Sequence, residues 1–451
     1  MKFTPLTATA LALCFATASS CQLCAQASPQ TPSVSASEAR LPGYRYDFSP
    51  GVRNTADGFL PITQESLFTP ASGFGFEAAG VTALDRGDSH TGDRPVYFSV
   101  AVPEGNYRVT VTLGDSARET DTTIKAESRR LVVEHATTKP GEFLTRSFTV
   151  NVRNATLTPP PLNAPGGTRV ILNDREQGVL HWDDKLTLEF NGPRPAVRSL
   201  EIVPVTDAVT VFLAGDSTVT DQPREPGASW GQMLPRFFKD NVAVANHAES
   251  GETMKSFLTA HRFGKLLSAM KPGDYLFIQF GHNDSKAQWP QTYVEPFTTY
   301  KAYLKVFIAE ARRRGATPVL VTSMHRRNFD DHGKIKNTHG DYPEAVRQVA
   351  REEAVALIDL HAMSAQLYEA LGPEKSPLAF SNNGKDATHH NNYGAYELAQ
   401  CIVTGIRAAK LPLADLLAGD APQFDPAKPD SVESFSLPAS PGRSTQKPRG
   451  D

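Results

Sequence analysis

Near Val205 the chain changes its rhythm, and that change limits what it can fold into more than any other feature of the sequence. Upstream, apolar residues recur at every second position in short runs. Downstream, apolar runs of about five residues alternate with stretches of helical length. A period of two puts one set of side chains on a core and the other toward solvent, as antiparallel strands do. Fully apolar runs separated by helices are strands of a parallel sheet covered on both faces. The expectation is a β-sandwich over residues 42–206 followed by an α/β body over residues 207–416, its five parallel strands forming the middle of three layers.

In the first segment Tyr107 to Leu113 and Ser147 to Val152 alternate apolar and polar residues and read as antiparallel strands, each with one wet face. Turn formers such as Pro103-Glu104-Gly105-Asn106 and the Pro159 to Gly167 loop separate such strands. In the second segment the strand expectations are Val209 to Ala214, Val242 to Asn246, Tyr275 to Phe280, Pro318 to Thr322 and Ala356 to Leu360. Tyr300, Tyr303, Leu304, Phe307, Ile308 and Ala311 fall at helical spacing and predict one apolar stripe against the sheet. From residue 417 to 451 the chain turns rich in Pro, Ser and charge, which predicts a disordered tail.

The amino terminus, Met1-Lys2 followed by an apolar run to Phe15 and then Ala25-Gln26-Ala27, has the form of a signal peptide covering residues 1–27. Export to the periplasm or the medium is therefore expected. Cys14, Cys21 and Cys24 fall within that segment, so the Cys21/Cys24 spacing is neither a redox nor a zinc motif, and Cys401 alone is left beyond it. No other run is apolar over the roughly 20 residues a membrane span needs. A formal net charge of −3 gives no footing for a nucleic-acid partner.

The polar signatures follow the strands. Gly215-Asp216-Ser217 comes after the first, Asn246-His247-Ala248-Glu249-Ser250-Gly251 after the second and Gly281-His282-Asn283-Asp284 after the third. Asp386-Ala387-Thr388-His389 precedes the last helical stretch, Tyr393 to Ala409. The tripeptide Gly-Asp-Ser also occurs at Gly87–Ser89 and Gly114–Ser116, so the tripeptide alone proves nothing. What distinguishes Ser217 is its place: ligands of a doubly wound sheet bind beyond the carboxyl ends of its strands, where all these blocks would meet. Read singly, each residue has an ordinary use. Ser217 could cap a following helix, Gly251 could open one, and Asn283 could be a turn residue.

Together with Thr218-Val219 and Ser229-Trp230-Gly231-Gln232, these blocks resemble the SGNH (GDSL-type) hydrolase superfamily, most closely its rhamnogalacturonan acetylesterase-like branch, from about Ala208 to Ala409. The resemblance implies a flavodoxin-like α/β/α fold and a serine esterase that removes acetyl groups from a pectic polysaccharide. It further implies Ser217 as nucleophile, His389 and Asp386 as the rest of a triad, and Gly251 and Asn283 as oxyanion donors. The segment before it resembles a galactose-binding-like domain. The chemistry asks for these residue types on its own terms: a hydroxyl, a base that takes and returns its proton, a carboxylate behind the base, and N–H groups facing the developing oxyanion. It asks for no cofactor and no metal, and the histidines lack paired ligand spacing. His390 is a rival base, though the Asp-x-x-His spacing favours His389. Glu252-Thr253 departs from the Arg-Ser often found in relatives, while Arg326 and Arg327, after the fourth strand, could meet an acidic sugar or be surface charge. Trp182 reads as core rather than as a platform for stacking a sugar. Other acetylated glycans such as xylan, small esters, or a non-catalytic carbohydrate-binding role are the alternatives, and no oligomeric state can be read.

Overall fold

In the computed structural model, residues 43–49, 58–77, 85–86, 90–91 and 95–442 are described. The signal segment 1–27 and the Gly87–Ser89 tripeptide lie outside them.

Among the described residues, twelve strands come first: β1 Tyr44–Asp47, β2 Leu60–Pro61, β3 Phe74–Phe76, β4 Asp85–Arg86, β5 His90–Thr91, β6 Val96–Ala101, β7 Gly105–Leu113, β8 Thr120–Ala126, β9 Arg130–Thr138, β10 Leu144–Val152, β11 Lys185–Arg194 and β12 Ala196–Val205. One sheet has the order β10-β7-β12-β1-β2, with β5 and β4 added beside β12; the other has the order β3-β6-β11-β8-β9. The pairings are antiparallel except β1 with β2. Inward residues such as Val109, Val111, Leu113, Phe98, Leu188, Leu200 and Ile202 form one shared core.

The α/β body carries β13 Val209–Gly215, β14 Val242–Asn246, β15 Tyr275–Gln279, β16 Thr317–Val321 and β17 Ala356–Ile358. They form one parallel sheet in the order β14-β13-β15-β16-β17. Alternation along β13 splits its side chains. Phe212 and Ala214 join α2 (Met254–Thr259), α3 (Arg262–Ala269), α4 (Lys301–Arg313) and α5 (Tyr342–Glu352) on one face. Val211 and Leu213 join α1 (Trp230–Met233), α6 (Leu360–Lys375) and α7 (Asn392–Ala408) on the other. This is the three-layer arrangement with the flavodoxin-like strand order, and the order reverses at β13, which places a crevice at its carboxyl end.

Two expectations need correction. Residues Phe148 to Val152 of β10 are buried on both faces rather than one. The reason is docking: β10 lies along β14, the edge strand of the parallel sheet. There Asn106 of β7 donates to Thr210 Oγ1 at 2.9 Å, and Thr149 donates to the Asp240 carbonyl. Covering an edge strand removes an unpaired row of backbone groups. The expected disordered tail is corrected over residues 417–442, which lie against the body. Phe435 packs on Tyr393 and Tyr396, and Ser440 is buried between Glu189 and Glu225. The segment is held there because Phe424, Val432, Phe435 and Leu437 pack against the core of the α/β body and because the carbonyls of Pro438 and Ala439 accept from Lys125 (2.6 Å) and Asn191 (3.0 Å), buried donors that need such partners.

The β8–β9 turn enters the α/β body. Arg129 meets Glu225 at 2.5 Å and donates to the carbonyls of Gln222 and Gly227, while Arg130 Nε meets Asp221 Oδ2 at 2.6 Å. Arg130 and Asp221 are both buried. Removing one partner of such a pair leaves a buried charge uncompensated, so Asp221→Ala is expected to cost about 3–5 kcal/mol. Urea unfolding followed by far-ultraviolet circular dichroism checks this; a loss below about 1 kcal/mol would place the pair among the weak surface kind.

Candidate active site

β13 ends at Gly215, where a Cβ would stand 2.6 Å from Val219 Cγ2 and 2.9 Å from the Gln279 carbonyl, so only glycine lets the chain turn here. Asp216 then organises the turn: its Oδ1 accepts from Thr218 N (3.0 Å) and Thr218 Oγ1 (2.7 Å), and its carbonyl accepts from Val219 and Thr220. No helix starts at Ser217; the first one after β13 begins at Trp230, after a loop containing Pro223 and Pro226. The capping use of Ser217 therefore falls away.

Ser217 Oγ lies 2.9 Å from His389 Nε2, and His389 Nδ1 lies 3.0 Å from Asp386 Oδ2. Asp386 Oδ1 accepts from the backbone N–H groups of Thr388 (2.8 Å) and His389 (2.9 Å). Burial works against ionisation of Asp386, but the hydrogen bond and charge of His389 and those two donors outweigh it, holding the carboxyl well below its ordinary value. The carboxylate thus stays charged near neutral pH and keeps the proton on Nδ1, leaving Nε2 to face the serine. His390 does not compete: its Nε2 is tied to the Tyr368 hydroxyl at 2.7 Å, and burial first, then His389, brings it down to about 3.

Gly251 has φ of +83°, a conformation that a side chain disfavours. Its loop is held by Glu249 N on the Gly215 carbonyl and by Thr253, which caps α2 by accepting from Ser256 N. Asn283 Nδ2 donates to the Glu252 carbonyl at 3.1 Å, and Asn283 Oδ1 accepts from Lys286 Nζ at 3.2 Å. Asp284, to which sequence reasoning gives no role, joins the two loops by accepting from Met254 N (2.9 Å) and Gly281 N (3.0 Å). All five sequence-predicted site residues stand beyond the carboxyl ends of β13, β14 and β15 or on the Asp386 loop. Ser217, Asn283, Asp386 and His389 are buried, and Gly251 is half-buried.

Other residues sort themselves by contact. Glu252 is paired with Arg262 (3.3 Å) and accepts from Ser256. Arg326 donates to the carbonyls of Thr338 and His282, and Arg327 donates to that of Gly384 at 2.5 Å, so both brace the loops around the site. Trp182 is core, 4.6 Å below the Arg153 guanidinium and edge-on to His247. At Gly114–Ser116 the aspartate merely closes a turn by accepting from Ala117 N and Arg118 N. Sequence reasoning misses Gly227-Ala228-Ser229-Trp230-Gly231, which has the Gly-x-Ser-x-Gly form of a nucleophile elbow. Ser229 Oγ donates to the Thr220 carbonyl at 2.6 Å and follows no strand of the sheet, so the pattern carries no nucleophile. Among the described residues, Glu176, His181 and Glu249 have metal-ligand spacing. Their carboxylates already face Arg262 (2.5 Å) and Arg175 (2.6 Å), whose charges oppose a cation.

Residues 213–428 match the GDSL-like Lipase/Acylhydrolase family. The chain is similar to the rhamnogalacturonan acetylesterase RhgT of Bacillus subtilis, 41% identical over 222 residues that make up 46% of this chain and 94% of that protein. It is also similar to the probable rhamnogalacturonan acetylesterase YesY of the same organism, 40% identical over 46% of this chain and 95% of that protein. A longer match, 26% identical, covers 83% of this chain and 92% of the uncharacterized esterase YxiM, again from Bacillus subtilis. A five-stranded parallel sheet with serine, asparagine and histidine at its carboxyl ends, together with identity of this extent over nearly the whole length of RhgT, makes the chain a member of the GDSL-like (SGNH) acylhydrolase family and a carboxylic ester hydrolase.

Proposed function

We propose that the protein is an exported serine esterase that removes acetyl groups from a pectic polysaccharide, rhamnogalacturonan, with Ser217, His389 and Asp386 as its triad. The single observation that carries the mechanism is the pair of contacts at 2.9 and 3.0 Å that joins Ser217 Oγ to His389 and His389 to Asp386. The hydroxyl attacks the acetyl carbonyl as His389 Nε2 takes its proton. The negative oxygen of the tetrahedral intermediate is met by the backbone N–H groups of Ser217 and Gly251 and the side-chain amide of Asn283. His389 returns the proton to the leaving sugar oxygen, which departs as a hydroxyl, and water repeats the sequence on the acetyl-serine. The imidazolium that forms is stabilised by Asp386.

The choice of substrate rests on likeness to RhgT and YesY, whose names carry that activity. Acetate release from acetylated rhamnogalacturonan, acetylated xylan and 4-nitrophenyl acetate, measured side by side as kcat/KM, tests it. The expected result is a preference of at least about 10-fold for the first over xylan, the scale of a few well-placed contacts. Equal values on both polymers would leave a general acetylesterase in its place.

A further inference from the structure

We propose that Arg175, reaching across from the N-terminal body, is a positioning residue that aims the Gly251 N–H at the oxyanion. The inference rests on the reading of Ser217 and Gly251 given above and adds the N-terminal body to that site.

Arg175 sits on a short 3-10 turn, Asp174–Glu176, in the long connection between β10 and β11. Its Nε donates to Glu249 Oε1 at 2.7 Å, and its other arm donates to the carbonyl of Ser250. That carbonyl and the Gly251 N–H belong to one peptide unit, which is planar and trans. A donor that fixes the oxygen therefore fixes the direction of the hydrogen on the opposite side. The unit needs an outside hold because Gly251, at φ of +83°, has no Cβ to restrict rotation of its own backbone. An arginine suits this position because its planar fork serves a carboxylate and a carbonyl at once, whereas the ammonium of lysine is a single point.

The surroundings agree. Glu249 is buried, and its backbone N–H is bound to the Gly215 carbonyl, so the residue that Arg175 grips is itself attached to the nucleophile strand. Burial and the nearby Glu176 push the Glu249 carboxyl up to about 7, and Arg175 and Arg262 oppose that rise. A second crossing contact braces the loop that carries the nucleophile. Gln222 Nε2 donates to the Ser217 carbonyl at 2.9 Å, and the Gln222 carbonyl accepts from Arg129 of the β8–β9 turn at 3.0 Å. Arg175 lies outside the residues 213–428 that match the family, so this hold comes from a part of the chain beyond that match.

The test uses the full chain and 4-nitrophenyl acetate, with Arg175→Ala, Arg175→Lys, Arg236→Ala and Ser217→Ala. Arg236 pairs with Glu134 at 2.9 Å, another contact between the two bodies but away from the oxyanion loop. The expected result is a fall in kcat of about 10- to 100-fold for Arg175→Ala with KM within about twofold, the penalty of a misaimed group. Arg175→Lys, which keeps one donor, recovers part of the rate, and Arg236→Ala keeps the parent kcat. Should Arg175→Ala fail to fold, Arg175→Gln takes its place in the same comparison. The proposal is overturned if the Arg175 variant turns over within twofold of the parent, if lysine recovers nothing, or if Arg236→Ala loses as much rate. A parent-like rate in Ser217→Ala would instead remove the reading of the site itself.

Discussion

Ser217→Ala is expected to lower kcat for acetate release by on the order of 10⁴-fold or more while leaving KM for the polymer nearly unchanged. Ser217 offers a hydroxyl that is aligned with a base and exempt from structural duty. Its Oγ is bonded to His389 Nε2 at 2.9 Å, whereas Ser229 Oγ is spent on the Thr220 carbonyl. On the proposed mechanism, removing the oxygen would abolish the acyl-enzyme but leave the proposed oxyanion donors and the binding surface in place, and these would support a small residual rate. A burst of 4-nitrophenol from the parent, absent in the variant, is the complementary measurement. A rate within tenfold of the parent would falsify the assignment of Ser217 as nucleophile.

Asn283→Ala is expected to lower kcat by about 100- to 1,000-fold, the usual cost of one oxyanion donor, again with little change in KM. In the proposed role the amide would contribute only once charge develops on the carbonyl oxygen, so ground-state binding would gain little from it. Part of the loss would come from the loop, because Asn283 also ties Glu252 to Lys286. Thermal unfolding of the variant separates the two contributions: a midpoint within a few degrees of the parent leaves the oxyanion role to account for the rate. Turnover within threefold of the parent would remove Asn283 from the hole.

Much of the fold is legible in the sequence because burial on a parallel sheet leaves a plain mark. The strand expectations, Val209 to Ala214 among them, match β13 to β17 to within two residues at each end. The stripe Leu304, Phe307, Ile308 and Ala311 is buried on α4 as its spacing requires. The wet face expected for Ser147 to Val152 fails for a reason local pattern cannot contain: the polar residues Thr149 and Asn151 are buried, and Thr149 bonds to the α/β body rather than to water. The tail departs from expectation likewise. Composition reports whether a segment can build a core of its own, and residues 417–442 need none, since their few apolar side chains pack on an existing core and their carbonyls meet buried donors placed hundreds of positions earlier.

The sequence by itself determined which residues stand at strand ends, since alternation and run length follow from the side-chain period of a strand and the requirement that apolar surface be buried. That placed Ser217, Gly251 and Asn283 beyond three strands, and the resemblance of the polar blocks to a known family then nominated them together with Asp386 and His389. Only the tertiary structure decided which histidine turns toward the serine and which toward Tyr368, that Arg326 and Arg327 brace loops, and that Arg175 grips the Ser250 carbonyl. These are facts of direction and of distance between residues far apart in the chain. Hydrogen bonds fail within a fraction of an ångström or a few tens of degrees, and no linear pattern encodes such geometry.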